Sequence, residues 1–278
     1  MMDAIRDFDW RRWRLVLIGG TIIGTILICA IFAPWIAPYS PYDLDVVTML
    51  QRPSLAHPLG TDELGRDLLS RTIYAARISM EVAFIAASVG LVFGTLIGVA
   101  AAYFGGIIDL VLMRFMELLF SFPAILLAVV LMASLGTSIL NAMIAIGIVF
   151  IPGFSRLGRA ATEVVLREQY VESARAIGMG HGRIVFREIL PNILAPLLVE
   201  AAVAFSYAIL LESALSFLGL GAQPPEPSWG NMLNTGRGFM AQAPWLSIVP
   251  GAAIFLSVLG FNLIGDGLRD VLDPHMRE

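Results

Sequence analysis

The sequence has 278 residues, of which 58% are hydrophobic and 14% are charged, with a formal net charge of -4. Soluble globular chains carry about 25% charged residues, so this composition excludes that class and predicts an all-α integral membrane protein. All 18 basic residues are arginine, which excludes a P-loop because that motif requires a lysine. The single cysteine, Cys29, excludes an intrachain disulfide.

The N-terminal part predicts a cytoplasmic tail followed by a first transmembrane helix. Residues 1–14 contain four arginines with Trp10 and Trp13, a combination typical of the inner membrane interface. Residues 15–37 are apolar and long enough to cross about 30 Å of hydrocarbon. This run is longer than the apolar core of a cleaved signal peptide, so we expect an uncleaved helix.

Residues 38–79 are polar and predict an extracytoplasmic segment that contains a short amphipathic helix. Thr61 or Asp62 is a candidate N-cap, and leucine and isoleucine recur at helical spacing after it. We expect this helix to lie on the outer membrane surface. Its mixed charges are better explained by a solvated helix face than by a charged site.

The membrane core is predicted from residue 80 to residue 268, with five further spans. The second span, residues 80–103, carries Gly90, Gly94 and Gly98 at four-residue intervals, which predicts close packing against another helix. The third span, residues 107–135, carries Arg114 and Glu117 on one face. They form either an ion pair or part of a translocation path. Pro123 is expected to kink this helix.

The fourth and fifth spans flank a polar cytoplasmic segment, residues 157–192. The fourth span is predicted at residues 139–154 and the fifth at residues 193–216. Within the polar segment, small residues after Glu172 predict a short helix that Gly178 ends in a left-handed conformation, and Pro191 suits the first turn of the next helix. Either this helix docks into a groove of a partner, or the segment is an ordinary solvated loop.

The fifth span carries two carboxylates at different predicted depths. We expect Glu212 to lie near the outer end, within reach of water or a loop donor, and Glu200 to hydrogen-bond deeper inside the bundle. The alternative for both carboxylates, as for Arg114 and Glu117, is that they line a translocation path. An outer loop follows at residues 217–244, with Trp229 and Trp245 expected at the interface. The sixth span is predicted at residues 245–265, and residues 269–278 form a cytoplasmic tail.

Six spans place both termini on one side, and the arginines indicate that this side is the cytoplasm. The predicted inner segments hold 12 arginines, the outer segments hold 5, and Arg114 lies within a span. Since positive charge is retained on the inner side, we expect an N-in, C-in topology.

No constellation in the sequence predicts catalysis, and we expect neither catalytic residues nor a metal or cofactor site. His57, His181 and His275 fall in three separate polar regions, the first outside and the others inside. The HExxH and GxSxG motifs are missing from the sequence. A transporter subunit or channel therefore fits better than an intramembrane enzyme.

The polar cytoplasmic segment resembles the "EAA" loop of permease subunits in binding-protein-dependent ABC importers. Glycine lies six residues after Glu172, and Leu-Pro follows twelve and thirteen residues after Gly178. Ser173 stands in place of the usual first alanine, and Glu188 replaces the usual apolar residue or histidine. The residues that match the loop's coupling positions are Glu172, Ser173, Ala174, Arg175, Ala176, Gly178, Leu190 and Pro191.

Other segments resemble the dipeptide, oligopeptide and nickel permease family, of the "C" subunit type. They are FAPWIAPYSPYD, HPLGTDELGRDLLSR, RFMELLFSFPAILLA and ESALSFLGLGAQPPEPSWGNML. The resemblance implies a type I ABC importer permease fold in the inner membrane. It also implies a homologous second permease, an extracytoplasmic solute-binding protein and two ATPase subunits that bind ATP and Mg²⁺. No nucleic-acid partner is implied.

The resemblance leaves the cargo open. Peptides are the leading expectation, with nickel, glutathione or another small solute as alternatives from the same family. A stand-alone channel is a candidate from a different class, and it would lack the ATPase partners.

Overall fold

The computed structural model describes residues 10–272 of the chain, with side chains described from residue 13. The N-terminal residues 1–9 and the tail residues 273–278 lie outside this range, so the predictions for Arg6 and His275 fall outside the described residues. Within this range the chain is helical and has no β-strand. In chain order the helices are α1 Trp10–Ile31, α2 Ala33–Ile36, α3 Leu68–Phe104, α4 Gly106–Phe120, α5 Ala124–Leu135, α6 Ile139–Val165, α7 Gln169–Ala176, α8 His181–Arg183, α9 Leu190–Phe217, α10 Trp229–Gly236 and α11 Trp245–Leu272.

Five of these helical stretches are long and apolar enough to cross a membrane, and a bent pair supplies a sixth candidate. The pair is α4 and α5, whose axes differ by 92° across the break that contains Pro123. The predicted kink is therefore confirmed in position, but it is a complete break. Pro123 lacks a backbone N–H and its ring excludes a helical turn before it, which explains the location.

The most extensive helix contact joins α3 to α6 through the predicted glycines. A Cβ atom added to Gly90 would lie 2.5 Å from Phe150 Cβ, and one added to Gly98 would lie 2.2 Å from the backbone carbonyl oxygen of Ser155. Between them, a Cβ atom added to Gly94 would lie 2.5 Å from Phe154 Cβ. The Gly94 carbonyl accepts a 3.1 Å hydrogen bond from the Ser155 hydroxyl. Only glycine permits this approach, so the predicted packing role is confirmed.

The register of this contact shows that α3 and α6 run parallel, because higher residue numbers in one meet higher numbers in the other. Parallel neighbours require the chain between them to return across the bundle. The α4–α5 pair makes this return. Near its start, Asp109 accepts two hydrogen bonds from Arg159 of α6, at 2.6 and 2.7 Å. At its end, Asn141 donates to the Leu135 carbonyl at 2.8 Å.

Asn141 and Arg159 lie five turns apart on α6, roughly 27 Å along its axis at about 1.5 Å per residue. The broken pair therefore covers a length close to the hydrocarbon thickness of about 30 Å. It counts as one crossing, which gives six spans as predicted.

The remaining long helices pack antiparallel around this centre. Gly19 of α1 approaches Gly260 of α11, and Ser206 of α9 donates to Asn262 of α11 at 3.0 Å. Phe205 of α9 stacks on Phe261 of α11 and on Phe84 of α3. These contacts place α9 between α3 and α11.

Several helices extend beyond the predicted spans, because polar residues continue them. The first helix starts at Trp10, the fourth predicted span extends to Val165, and the sixth extends to Leu272. Arginine and glutamate have good helix propensity, so the change to polar composition does not end these helices.

The separate surface helix predicted before residue 80 is also wrong. Residues from Leu68 onward form the first turns of the 37-residue α3, and Asp67 is the N-cap, accepting from the Ser70 amide at 2.8 Å. The face of these turns is buried rather than solvated, with Leu68 and Arg71 only 1% and 4% exposed.

The charges of the outer segment form a buried cluster centred on Asp62. Its carboxylate accepts from Arg66 Nε at 2.6 Å and lies 3.4 Å from Arg71 Nε, while Arg71 donates to the Pro41 carbonyl at 2.9 Å. Burial and the Asp62 charge raise the pKa of Glu63. The expectation of a solvated charged face is wrong, because these charges fold residues 38–67 onto the start of α3.

The second outer segment packs on the same region. Trp229, expected at the membrane interface, is only 1% exposed, and its indole donates to the Thr72 carbonyl at 3.2 Å. Trp245 is partly buried and donates to the Thr61 carbonyl at 3.4 Å. Both outer segments thus form one cap over the outer ends of α3 and α11.

The glycine contact predicts a position-specific effect on stability. Replacing Gly98 by leucine forces the side chain into the α6 backbone, and overpacking of this kind costs about 1–3 kcal/mol or more. We expect a lower thermal unfolding midpoint for the purified, detergent-solubilised protein. Gly20→Leu is the matched control, since a Cβ atom at Gly20 meets no atom within 4 Å. Equal midpoints for the two variants would contradict the packing.

Candidate functional site

The short predicted helix exists as α7, Gln169–Ala176, and it is anchored by two residues. Val171 and Ala174, one turn apart, are 0% and 5% exposed. The intervening and following residues Glu172, Ser173, Arg175 and Ala176 are exposed. Because Ala174 is small, this face of α7 can pack closely against the rest of the protein. The opposite face of the helix is exposed to solvent.

Gly178 ends α7 as predicted. Its φ is +76°, its amide donates to the Arg175 carbonyl at 3.0 Å, and the Met179 amide donates to the Ala174 carbonyl at 3.0 Å. This pair of bonds is a Schellman motif, which satisfies the last carbonyls of the helix. An L-residue with a side chain is strained in this conformation, so Gly178 fixes the point where the chain turns away.

Large apolar side chains project from this segment into solvent. Ile177 is 79% exposed and Phe186 is 68% exposed, with Tyr170 at 41%. Desolvation, with the nearby Glu168 and Glu188 charges, raises the pKa of Tyr170. We call Tyr170, Glu172, Ser173, Ala176 and Ile177 the coupling surface. Its apolar exposure outside the spans is typical of a surface that a protein partner covers.

An aromatic contact that the sequence did not predict ties this segment to α3. The Tyr103 hydroxyl lies 2.7 Å from His181 Nδ1, and the Arg175 guanidinium lies over the Tyr103 ring at 5.4 Å. Tyr103 is near the inner end of α3, so these contacts join the α7 segment to that helix. An interfacial tyrosine at the end of a span was the available signal, but its partners lie 72 and 78 residues away in sequence.

The segment is also continuous with the fifth span. Helix α8 passes through a π-helical stretch, Ile184–Ile189, into α9 without a break. The Leu190 amide donates to the Val185 carbonyl, a π-type bond, and Pro191 needs no amide partner in the next turn. The helix therefore begins before the span predicted from Ile193, and the early placement of Pro191 in α9 is confirmed. Leu190 is partly buried at this junction.

The intramembrane polar residues do not form one site. Arg114 and Glu117 form the predicted ion pair at 2.9 Å, and both side chains are largely exposed on the surface of the chain. Glu212 is buried, accepting from Ser79 of α3 at 3.0 Å and from Ser216 at 2.8 Å. Both of these hydrogen-bond donors lie on helices, α3 and α9, and not on the outer loop.

Glu200 differs from the prediction. It is half-buried, and among the described residues it has no hydrogen-bond or ion-pair partner. The expected hydrogen bond inside the bundle is therefore wrong. Glu200 faces clefts on both sides of α9 instead of a neighbouring polar side chain.

Nearly the whole sequence is similar to known families of membrane transport proteins. Residues 72–278 match the family described as the inner membrane component of binding-protein-dependent transport systems. Residues 3–53 match the N-terminal transmembrane domain of oligopeptide transport permease C. Together the two matches cover nearly all of the chain.

Curated relatives are similar over most of their length. The chain is 47% identical to the dipeptide transport system permease protein DppC of Alkalihalophilus pseudofirmus, over 95% of this chain and 87% of the relative. It is 44% identical to the di/tripeptide transport system permease protein DppC of Pseudomonas aeruginosa, over 94% and 88%. It is 43% identical to the glutathione transport system permease protein GsiD of Escherichia coli, over 96% and 90%.

Solved structures share the fold at low sequence identity. A chain of the MetNI methionine ABC transporter in inward facing conformations aligns with a TM-score of 0.60 and 17% identity, covering 74% of this chain and 98% of that one. A chain of an amino acid ABC transporter with histidines aligns with a TM-score of 0.54 and 18% identity, covering 69% and 90%. The type I ABC importer permease fold is thus shown.

The Tyr103 contact predicts a local effect on dynamics. Tyr103→Phe removes one hydrogen bond, worth about 1 kcal/mol, so amides of residues 169–183 should exchange with deuterium roughly fivefold faster. The spans should be unaffected. Tyr170→Phe is the matched control on the same segment, because no partner of its hydroxyl is found among the described residues. Hydrogen exchange by mass spectrometry that was unchanged in Tyr103→Phe would contradict the anchoring role.

Proposed function

Because the chain belongs to the family of inner membrane components of binding-protein-dependent transport systems, we propose that it is a permease subunit of an ATP-driven peptide importer. The chain is a multi-pass membrane protein of the inner membrane. Relatives named for dipeptides and di/tripeptides support di- and oligopeptides as cargo. Glutathione, itself a tripeptide, is the second candidate because relatives of similar identity carry that name.

The observation that carries the proposal is the anchored helix α7 with its open face. The coupling surface projects from the end of the bundle at which α3 ends, and two connections hold it to the spans. One connection is the Tyr103 contact with Arg175 and His181. The other is the continuous helical path from His181 into α9.

The coupling surface docks into a groove of a partner ATPase. ATP and Mg²⁺ bind to the two ATPase subunits, and this chain contributes no catalytic residue. When the ATPases close, α7 moves with them, and the movement reaches α3 and α9 through the two connections. A rigid link of this kind is what a two-state transport cycle requires.

The translocation pathway forms between this chain and a second, homologous permease. Helices α4 and α5 leave many large apolar side chains exposed, including Phe115, Leu118 and Val130. In the membrane these side chains contact lipid or the second permease. An extracytoplasmic solute-binding protein delivers the cargo to the outer cap.

A stand-alone channel is the competing reading, and co-purification with an ATPase separates the two. Gly178→Val strains a residue with φ +76° by roughly 1–2 kcal/mol, and Glu172→Lys reverses a charge on the coupling surface. We expect either variant to insert normally but to retain about tenfold less ATPase after purification from detergent, because the docking geometry or charge is lost.

Gly182→Val is the matched control, since Gly182 lies in a helical turn with open space around it. It should retain the ATPases. If both Gly178→Val and Glu172→Lys kept their ATPases and transported normally, the docking assignment would be wrong. A wild-type chain that purified without an ATPase would favour the channel.

A further inference from the structure

Glu200 lies where two clefts meet at membrane depth. The inner cleft, about 330 Å³, lies between α6, α9 and α11 and is lined by Leu157, Pro196 and Arg269. The other cleft, about 280 Å³, lies between the broken α4–α5 pair, α6 and α9. Its walls include Phe120, Phe150 and Tyr207. Glu200 lines both clefts, so its carboxylate is accessible from either.

This carboxylate lacks a partner within the described part of the chain. Arg269 lines the same inner cleft but forms no ion pair with Glu200 among residues 10–272. A charged side chain within a span is costly and normally faces water, a counter-charge or a transport path. Glu212 on the same helix shows the structural alternative, because its carboxylate is enclosed by serine hydroxyls.

The break in the third span opens onto the same cleft. Phe120 is the last residue of α4 and Ala124 is the first residue of α5, and both line the cleft beside Glu200. Non-helical backbone at membrane depth is stable where it lines a water-filled cavity. In transporters, discontinuous helices commonly form the substrate site. The unpaired carboxylate and the broken span therefore point to the same location independently.

We propose that Glu200 binds the protonated amino group of the cargo peptide as it passes the α4–α5 break. The ammonium group supplies the counter-charge that the chain itself does not provide. Phe120, Phe150 and Tyr207 offer aromatic surface to peptide side chains of varied shape. The inference rests on the proposed function, because it requires that peptides cross the membrane along this chain.

The test compares wild type with Glu200→Gln in proteoliposomes that contain the whole transporter and a saturating amount of its binding protein. The probe is a radiolabelled dipeptide with a free amino terminus. At about pH 6.5 its amino group, with a pKa of about 8, is protonated, and at about pH 9 it is mostly neutral. We expect uptake by wild type to exceed uptake by Glu200→Gln on the order of tenfold at the lower pH.

At the higher pH this ratio should fall towards one, because the ammonium group is lost. The ratio removes pH effects on the ATPases and the binding protein, which both preparations share. The other ionisable groups lining the clefts are Tyr207 on α9 and Arg269 on α11, while the lining residues of α4, α5 and α6 are uncharged. Arg156 of α6 lies beside the second cleft, with its guanidinium 3.5 Å from the centroid of the Phe120 ring, and it is present in every variant compared. Glu200→Asp retains the carboxylate and should retain the pH-dependent advantage over Glu200→Gln.

Glu163→Gln is the matched control, since this carboxylate lies outside both clefts and is paired with Arg159 at 2.9 Å. Its uptake should stay within about twofold of wild type. The inference is overturned if the ratio of wild-type to Glu200→Gln uptake is one at both pH values, or has the same value at both. It is also overturned if the advantage of Glu200→Asp over Glu200→Gln does not depend on pH. Each of these results would leave peptide import intact. Wild type that imported no dipeptide at either pH would refute the proposed function itself.

Discussion

The parallel contact between α3 and α6 is the constraint on which the rest of the structure depends. Gly90, Gly94 and Gly98 bring the two backbones together over about two turns, and the Ser155 hydroxyl donates a hydrogen bond across the contact. In a bilayer there is little hydrophobic drive between helices, so close packing and hydrogen bonds hold them. Because the two helices run parallel, residues 105–138 must cross the bundle although a proline breaks them.

The same contact determines what lies at each end of the bundle. At the inner end it brings Tyr103 of α3 to the segment that follows α6, where Arg175 and His181 meet it. At the outer end it leaves the first turns of α3 to be covered by two loops that pack through buried charges and tryptophans. The helix that Tyr103 joins to the α7 segment and the helix that supports the outer cap are therefore the same helix, α3.

The sequence predicted the features that depend on local chemistry. The glycine spacing, the Schellman ending at Gly178, the position of the break at Pro123 and the number of spans follow from backbone preferences and hydrophobic length. Features that depend on distant partners were not predictable in this way. The charges around Asp62 read as a solvated face because their burial requires Arg71 and Pro41 to meet across 30 residues.

The carboxylates illustrate the same limit. Glu200 and Glu212 occupy one helix and have similar apolar neighbours in the sequence. The structural role expected for both was a hydrogen bond. Ser79 reaches Glu212 from α3, 133 residues away, whereas Glu200 faces a cleft created by the break in another span. Several helices also extend beyond the predicted spans, because arginine and glutamate have helix propensities close to that of leucine.

The topology is tested most directly by labelling single introduced cysteines. Cys29 is the only cysteine in the sequence, so one substitution removes the background. In a Cys29→Ser background, Ser138→Cys lies at the far end of the α4–α5 pair and Ser173→Cys lies on the coupling surface. A membrane-impermeant thiol reagent added to intact cells from outside should label the first and not the second, and inverted membrane vesicles should show the reverse. Labelling of both positions from the same side would mean that α6 does not cross between them. Because Tyr103, just before the broken pair, lies at the same end of the bundle as the α7 segment, it would also mean that the pair does not cross, and both results would contradict the account.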